Sequence, residues 1–233
     1  MPHNRTPLPD QAVGDLLLVF VRLPVPGEVK TRLAKRLGPV AAAEAYRAFA
    51  EWVFTNTVSP APGVWRRWAC FTPRTGLKAL QTWLRPFPID HFLPQAPGDL
   101  GTRLMAATGG AFHARASKVV VIGTDCVDVT QNLVGEAFEA LDESDVVLGP
   151  SHDGGYYLLG LRGLTPKLFQ RIPWSTDQVL AATRERAKEL GLSVQSLPAL
   201  HDIDRPADLA HLPAAFLEAH PEIAPMVEEA RKS

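Results

Sequence analysis

The stretch Leu16-Leu-Leu-Val-Phe-Val-Arg-Leu23 is an almost uninterrupted apolar run near the amino end of the sequence. A run of this kind, without alternation of apolar and polar residues, is typical of a parallel β-strand buried on both faces. The loop Pro24-Val-Pro-Gly27 follows it, and helical spacing begins soon after Lys30. The stretch therefore predicts a strand, a shaped loop and a helix, which form the opening unit of an α/β sheet.

Strand-like and helix-like patterns alternate through most of the remaining sequence. Further strands are predicted at residues 64–71, 89–93, 119–122, 146–148, 156–161 and 193–197. Helices are predicted at residues 40–58, 76–84, 102–116, 132–141 and 175–190, with two more after residue 206. Ser175 and Gln178 form a predicted capping box for the helix that ends at Leu190. The alternation predicts an α/β sheet with helices on both faces and ligands at the carboxyl ends of its strands.

The length and composition fit one large domain. The chain has 233 residues, of which 46% are hydrophobic, and this is enough for a substantial core. No internal repeat or long linker divides the sequence. We predict a flexible polar segment at residues 1–14, one domain at residues 15–212 and a helical tail at residues 213–233.

The charge balance limits the kinds of partner that the protein is expected to bind, and the cysteines indicate the compartment in which it is expected to occur. Lys and Arg number 24 and Asp and Glu number 25, so the net charge of -1 disfavours nucleic acid or a membrane surface as a partner. The run Leu16–Val21 is far shorter than the ~20 residues of a membrane-spanning helix, and no signal-peptide core precedes it. Cys70 and Cys126 form no CxxC pattern, which fits a reducing compartment. We expect a cytoplasmic protein.

Three common signatures of nucleotide-binding proteins and hydrolases are missing from the sequence. Val29 stands where the phosphate-binding GxxxxGK[ST] loop needs a glycine before Lys30. Pro24-Val-Pro-Gly27 replaces the GxGxxG that a dinucleotide-binding fold places after its first strand. No GxSxG elbow of an α/β hydrolase occurs. The P-loop, NAD-binding and serine hydrolase classes are therefore disfavoured.

Four basic residues lie within seven positions at the start of the first predicted helix, at Lys30, Arg32, Lys35 and Arg36. Side-chain cations beside the outward-pointing N–H groups of a helix start suit a di- or triphosphate. The alternative is a solvated helix face. Lys30 and Arg32 lie nearest the strand end, so we predict that these two are the phosphate contacts and that both are exposed.

Aspartates follow three predicted strands, at Asp125 and Asp128, at Asp153, and at Asp202, Asp204 and Asp208. Parallel strands would bring several of these carboxylates to one edge of the sheet. Oxygen ligands without a histidine and cysteine set favour Mg²⁺ or Mn²⁺, which would bridge the protein to nucleotide phosphates. The alternative is ordinary caps and turns, which we favour for Asp128 and Asp208. Asp125 is the best placed, because it follows the most apolar strand.

The pair Gly154-Gly155 comes directly after Asp153. Glycine lacks a Cβ and accepts positive φ, so the pair could bring the backbone close to a ligand. A tight turn between strands is the alternative. His152 in the same segment is predicted to be merely exposed, and Trp174 to fill a gap in the core rather than to stack on a base or sugar.

Six segments of the sequence together resemble one bacterial family. They are Pro26-Gly-Glu-Val-Lys-Thr-Arg-Leu33, Gly98-Asp-Leu-Gly-Thr-Arg103, Gly123-Thr-Asp-Cys126, Gly149-Pro-Ser-His-Asp-Gly-Gly-Tyr-Tyr157, Trp174-Ser-Thr176 and Asp202-Ile-Asp-Arg-Pro-Ala-Asp-Leu209. In this order they resemble the rSAM/selenodomain-associated transferase 1, or arsenosugar-biosynthesis glycosyltransferase, family of the nucleotide-diphospho-sugar transferase superfamily. The resemblance extends from about residue 16 to residue 212.

The resemblance implies a GT-A fold, a Rossmann-like, mostly parallel sheet with helices on both faces in a three-layer sandwich. It implies a divalent metal, Mg²⁺ or Mn²⁺, at Asp125 and Asp204, and catalytic roles for Lys30 and Asp153, the latter as acceptor ligand or general base. Implied nucleotide contacts in and near the matching segments are Pro24, Gly27, Lys30, Arg32, Asp99, Arg103 and Thr124. Implied substrate contacts are Gly154, Gly155, Trp174, Ser175 and Thr176.

Three functions are compatible with these residues. In a glycosyltransferase, the metal would hold the diphosphate of a nucleotide sugar while the hydroxyl of a small acceptor attacks the anomeric carbon. In a nucleotidyltransferase resembling phospholactate guanylyltransferase, a substrate phosphate would attack an NTP. The third function is non-catalytic nucleotide binding. A GGxxxRMGxxK-type signature is missing after the first strand, so we favour glycosyl transfer, with base, sugar, acceptor, stereochemistry and oligomeric state left open.

Overall fold

The computed structural model describes residues 13–231, and side chains are described through residue 230. Most of the N-terminal segment predicted to be flexible, and the last two residues of the predicted tail, lie outside the described residues. No helix within the described part of the chain is long and apolar enough to cross a membrane.

The described residues form one seven-stranded sheet. The strands are β1 (Gly14–Arg22), β2 (Arg66–Thr72), β3 (His91–Pro94), β4 (Ala116–Ile122), β5 (Val146–Pro150), β6 (Tyr156–Leu161) and β7 (Val194–Ser196). Their order in the sheet is β3-β2-β1-β4-β6-β5-β7. Strand β6 is antiparallel to both of its neighbours, and the other paired strands are parallel. The predicted mostly parallel α/β sheet is confirmed.

Helices lie in every connection between consecutive strands except that between β5 and β6, and they also follow the last strand. The α-helices are α1 (Thr31–Leu37), α2 (Pro39–Asn56), α3 (Leu77–Trp83), α4 (Leu100–His113), α5 (Gln131–Glu143), α6 (Val179–Glu189), α7 (Ala214–Ala219) and α8 (Ala224–Arg231). Short 3₁₀ helices occur at Arg74–Gly76, Pro166–Phe169, Pro206–His211 and Pro221–Ile223.

The first strand, β1, contributes to the core on both faces of the sheet. Leu17, Val19 and Val21 pack in the cluster that contains buried residues of α2, α3 and α5. Leu16 and Leu18 pack in the cluster that contains buried residues of α4 and α6. Successive side chains of a strand point to opposite faces, so a continuous apolar run is buried twice. The result is a sheet with helices on both faces, as the alternation of strands and helices predicts.

A third apolar cluster joins the C-terminal helices to the outer face of α2. Phe216 of α7 is fully buried, and its ring lies 5.5 Å from the rings of Phe49 and Trp52. Ile223 and Val227 are buried in the same cluster. The predicted tail is therefore packed against the domain rather than extended from it.

Strand β6 is antiparallel because of the length of its connection to β5. Only residues 151–155 separate the two strands, whereas a parallel connection needs a crossover of a dozen or more residues. The carboxyl ends of β1, β4, β5 and β7 therefore lie at the same edge of the sheet as the amino end of β6. This edge carries the segments that contain the predicted site residues.

Two predicted details of the helices are wrong. The predicted helix to Ala116 ends at His113, because Arg115 adopts a left-handed conformation with φ 61° and Ala116 already begins β4. The predicted capping box at Ser175 is absent, because Ser175 has φ 65° and α6 begins only at Val179, without a side-chain cap.

Candidate active site

The predicted phosphate contact Lys30 lies at the edge of the sheet that carries the predicted site residues. Its Nζ donates to the carbonyl oxygen of Ile203 at 2.5 Å and lies 2.5 Å from Oδ1 of Asp125. The side chain of Lys30 is only 3% exposed, so the predicted exposure of this residue is wrong. Lys30 has φ 46° and ψ 44°, and it lies between the buried Val29 and the start of α1. It therefore connects the β1 loop, the end of β4 and the segment after β7.

The other basic residues of the cluster lie at the surface. Arg32 is 59% exposed, and its Nη1 lies 2.6 Å from Oδ2 of Asp204. Arg36 pairs with Glu229 of α8 at 3.2 Å, and Lys35 is exposed. Of the four basic residues, Lys30 is therefore buried, and Arg32 is exposed and paired with Asp204. The other two lie farther along the helix.

Asp202 lies near three other carboxylates of the site, those of Asp125, Asp153 and Asp204. Burial raises its pKa to about 7, and repulsion from Asp125 and Asp153 adds to the effect, while Lys30 opposes it. Sequence reasoning placed Asp202 in the acidic cluster but did not choose it as a metal ligand. The signal was available, because Asp202 and Asp204 lie two residues apart after the same strand.

The charge of this cluster fits a divalent cation that completes its coordination with other ligands. Among residues 13–230, no three His, Cys, Asp or Glu side chains are arranged as a set of metal ligands. Mg²⁺ commonly binds through one or two carboxylates together with waters and substrate phosphates. Asp125 is 52% exposed and adds to the repulsion on Asp202, which a cation would relieve. The residues present therefore fit an ion held jointly with a phosphate ligand.

Tyr46 links the end of β1 to the segment after β4 through two hydrogen bonds. Its hydroxyl accepts from the backbone N–H of Arg22 at 2.8 Å and shares a hydrogen bond of 3.0 Å with the hydroxyl of Thr124. Burial, and then nearby Asp125, raise the pKa of Tyr46 above its usual range. Sequence reasoning treated Tyr46 only as part of the apolar stripe of α2. The predicted contact Thr124 is buried and engaged in this hydrogen bond.

Asp153 shapes the turn between β5 and β6. Its Oδ1 accepts from the hydroxyl of Ser151 at 2.5 Å and from the backbone N–H of Gly155 at 3.0 Å. Gly154 has φ 90°, and a Cβ there would lie 2.1 Å from the carbonyl oxygen of Asp177. The space that Gly154 leaves is therefore filled by the backbone at residue 177. This is the turn between strands that the sequence left open as an alternative, and it also faces the segment at residues 174–177.

The other predicted contacts lie at the start of α4 and against it. Asp99 caps the helix by accepting from the N–H of Thr102 at 2.8 Å, and this hydrogen bond lowers the pKa of Asp99. Trp174 covers Gly101, where a Cβ would lie 2.2 Å from the indole Nε1. Arg103 donates through Nε to the carbonyl oxygen of Gly98 at 3.0 Å. The motif around residue 100 and the motif around residue 174 are therefore in direct contact.

Ser175 and Thr176 are exposed in this segment. The hydroxyl of Thr176 donates to the carbonyl oxygen of Pro173 at 2.7 Å and accepts from the N–H of Gln178 at 3.2 Å. Pro24, with Pro26, lines a cavity of about 150 Å³ beside α2, and Gly27 is exposed with φ 85°.

Three histidines that the sequence did not group form a stack beside the acidic cluster. The ring of His201 lies 4.0 Å from that of His152 and 3.8 Å from that of His211. Burial, and then the two neighbouring histidines, lower the pKa of His201. The predicted cap Asp208 accepts from the N–H groups of Asp204 and Arg205, which confirms that role, while Asp128 lies near His201 and His211.

Comparison with known families identifies the group to which the chain belongs. Residues 57–176 match the model of the family described as uncharacterized protein conserved in bacteria, DUF2064. The chain belongs to the DUF2064 family. The matched residues include the α4 motif, Asp125, the turn at Asp153 and the segment of Trp174, whereas Lys30 and the aspartates after β7 lie outside the match.

A solved structure supports the superfamily of this DUF2064 chain. A protein from Desulfovibrio desulfuricans G20, provisionally assigned as a nucleotide-diphospho-sugar transferase, is 30% identical with a TM-score of 0.83. The match covers 93% of the DUF2064 chain and 97% of the other. The nucleotide-diphospho-sugar transferase fold that the motifs imply is confirmed, and with it the coarser assignment as a transferase.

More distant solved structures share the fold alone. The CMP:2-keto-3-deoxy-manno-octonic acid synthetase complexed with CTP is 11% identical, with a TM-score of 0.53 over 89% of this chain and 99% of the other. Rv0371c from Mycobacterium tuberculosis H37Rv, complexed with manganese, is 14% identical, with a TM-score of 0.52 over 89% and 100%. No curated protein matches the DUF2064 chain by sequence.

Proposed function

We propose that the protein is a metal-dependent glycosyltransferase that moves a sugar from a nucleotide sugar to a small acceptor. The observation that carries the proposal is the alternation of cations and carboxylates at one edge of the sheet, with Lys30 against Asp125 and Arg32 against Asp204. Such a site can bind a metal and a diphosphate together, because each has ligands of opposite charge within reach.

Asp125 and Asp204 are the proposed metal ligands, and Asp202 lies close enough to contribute to the field. A bound Mg²⁺ or Mn²⁺ would stabilise the charge that develops on the departing diphosphate. Burial is the main cause of the raised pKa of Asp202, and the repulsion from Asp125 and Asp153 that adds to it supports this assignment, since it marks a place where positive charge is favourable. Manganese in the complex of Rv0371c, a chain of the same fold, makes this ion the first choice for a test.

Lys30 and Arg32 are the proposed phosphate contacts. An ammonium group has three N–H donors, and two of those of Lys30 are directed to Ile203 and Asp125. A phosphate oxygen can accept from the third N–H or replace Asp125 as the anionic partner. Arg32 is exposed, and an exposed ion pair is worth at most about 1 kcal/mol, so its guanidinium can leave Asp204 for a phosphate at little cost.

Asp153 and the segment at residues 174–176 are the proposed acceptor side of the site. Asp153 is exposed and is fixed by hydrogen bonds within its turn, so it can orient an acceptor hydroxyl and accept its proton. The segment at Trp174 packs against both the α4 motif and the turn that contains Gly154. Acceptor contacts from Gly155, Ser175 and Thr176 would then come from one connected surface. The arsenosugar-biosynthesis glycosyltransferase family remains our proposed group within the superfamily, because the six segments of the sequence resemble it.

Nucleotidyl transfer is the second candidate. It has support from the fold shared with the octonic acid synthetase that is complexed with CTP. A reaction of the kind that phospholactate guanylyltransferase performs would use the same metal and the same basic loop, with a triphosphate in place of a diphosphate.

The experiment that tests the proposal is a product analysis with Mn²⁺ and separate panels of nucleotide sugars and NTPs. Glycosyl transfer predicts consumption of a nucleotide sugar and release of a nucleoside diphosphate, and Asp125→Asn should abolish both. The matched control is Lys35→Ala, which changes an exposed cation of the same helix and should retain turnover. Pyrophosphate release from an NTP would support the second candidate instead. Consumption of neither class would contradict both.

A further inference from the structure

Lys30 holds the position that a bound cation would take beside Asp125. Its ammonium nitrogen is 2.5 Å from Oδ1 of Asp125, so the positive charge of Lys30 is in direct contact with this carboxylate. The side chain is buried, and the backbone carbonyl of Ile203 supplies a second oxygen at 2.5 Å. A positive centre with two oxygen neighbours is therefore built into the protein itself.

The surrounding charges explain why a resident cation is needed. Asp125, Asp153 and Asp204 lie near Asp202, and Lys30 is the buried cation beside them. Arg32 cannot take this role, because its guanidinium pairs with Asp204 at the surface. Without Lys30, the cluster would have several carboxylates and no buried positive charge.

We propose that Lys30 is a resident counter-cation that competes with the divalent metal for Asp125 in the nucleotide-free protein. This inference rests on the proposed function, since it concerns the same metal ligands. The positive charge of Nζ opposes a metal at either oxygen of Asp125, so the metal binds more tightly when Nζ moves away from the carboxylate. A phosphate oxygen gives Nζ a new anionic partner, so nucleotide binding releases Asp125 for the metal. Metal and nucleotide binding are thereby coupled through a single side chain, and the coupling is reciprocal.

The size of the effect follows from the interaction that is lost. A hydrogen bond to a charged group contributes about 1.5–3 kcal/mol, which corresponds to roughly ten- to a hundredfold in affinity. Removal of the ammonium group should therefore tighten binding of the metal alone by this factor. The extra tightening that nucleotide provides in the wild-type protein should decrease by a comparable factor.

The test is a titration of wild type and Lys30→Met with Mn²⁺ alone. Electron paramagnetic resonance measures the concentration of the free ion at each step. Met has a similar length without the charge. Lys35→Met is the matched control, because it removes an exposed cation from the same helix. The proposal predicts tighter Mn²⁺ binding in Lys30→Met and unchanged binding in Lys35→Met. It also predicts that the increase in Mn²⁺ affinity is lost in the double variant Lys30→Met/Asp125→Asn. Equal or weaker binding in Lys30→Met would overturn it.

A second variant and a second readout cover the case in which Lys30→Met does not fold. Lys30→Gln removes the charge and keeps an N–H donor, and its melting temperature should rise on addition of Mn²⁺ more than that of wild type. An equal rise in the two proteins would overturn the proposal. Both measurements are made without nucleotide and without turnover, so their outcome is separate from that of the product analysis, which alone decides the proposed function.

Discussion

Arg32 and Lys30 lie two positions apart, yet their environments differ because the chain turns at Lys30. The left-handed conformation of Lys30 directs its side chain into the site, whereas Arg32 lies on the exposed side of α1. Substitution of each residue therefore has a different consequence. Lys30 contributes to the fold through two buried contacts, so Lys30→Ala should lower stability as well as nucleotide affinity.

Arg32→Ala should separate the two effects. We expect nucleotide affinity to decrease roughly ten- to a hundredfold, since a charge-assisted phosphate contact is lost. The melting temperature should change little, because the pair with Asp204 is exposed. Isothermal titration calorimetry measures the first quantity and thermal denaturation the second, with Lys35→Ala as the control. Unchanged affinity in Arg32→Ala would remove this residue from the phosphate site.

Asp202→Asn should stabilise the metal-free protein at neutral and alkaline pH. The pKa of Asp202 is about 7 in the folded protein against an ordinary 3.8, so the folded state binds more protons between these values. The contribution of Asp202 to stability is therefore greatest below about pH 4 and decreases as pH rises from about 4 to 7, by up to about 1.4 kcal/mol per pKa unit. The advantage of Asp202→Asn should grow over the same interval.

Urea denaturation in EDTA across pH 4 to 8 measures this difference. Asp177→Asn, an exposed aspartate outside the acidic cluster, is the control. A constant difference between wild type and Asp202→Asn at every pH would show that folding does not raise the pKa of Asp202.

At the scale of the elements, two glycines allow the site segments to pack against each other. Gly101 lies under Trp174 at the start of α4, and Gly154 lies against the backbone of Asp177. Sequence reasoning explained Gly154 by the approach of a ligand. The structure supplies a different reason, because the neighbour that excludes a Cβ is part of the same chain.

Gly101→Ala should displace Trp174, since its Cβ would lie 2.2 Å from the indole nitrogen. Gly109→Ala is the matched control in the same helix, with no neighbour within 4 Å, and should stabilise the protein by roughly 0.5–1 kcal/mol. Thermal denaturation and tryptophan fluorescence report the two variants. A Gly101→Ala protein as stable as Gly109→Ala, with the wild-type emission, would contradict the packing role.

The elements also show which parts of the fold can be predicted from sequence. Continuous apolar runs identified β1, β4 and β6 because buried strands exclude polar residues, and the segment at residues 156–161 was predicted with its observed bounds. Such a run does not encode strand direction, which for β6 follows from the short turn before it. Left-handed residues such as Arg115 and Ser175 carry no compositional signal, so the helix limits near them were wrong.

The candidate site was partly predictable for the same kind of reason. Charged residues after strands mark the edge of the sheet, and this principle found Lys30, Asp125 and the aspartates after β7. It could not show that Lys30 is buried, because burial depends on the segment at Ile203, which is 173 residues away in sequence. The hydrogen bond between Tyr46 and Thr124 joins a helix to the end of a strand, and it could not be predicted from the sequence either.

At the scale of the whole molecule, the C-terminal helices are part of the domain core. Phe216 is fully buried against Phe49 and Trp52, and α2 is thereby covered on two sides. Phe216→Ala should therefore lower the free energy of unfolding by about 3–5 kcal/mol. Urea denaturation measures this loss, and Leu164→Ala at an exposed position should change stability little. Equal stability of the two variants would show that the tail is dispensable.

Asp125 is the proposed point of contact between the metal and the nucleotide. The most direct test of this role is to measure Mn²⁺ binding to wild type and Asp125→Asn by electron paramagnetic resonance. The measurement is made with and without a mixture of the four ribonucleoside diphosphates. We predict weak binding to the free wild-type protein, tighter binding with nucleotide, and loss of this tightening in Asp125→Asn, with a similar but smaller loss in Asp204→Asn. Nucleotide-dependent Mn²⁺ binding that persists unchanged in a folded Asp125→Asn protein would contradict the account.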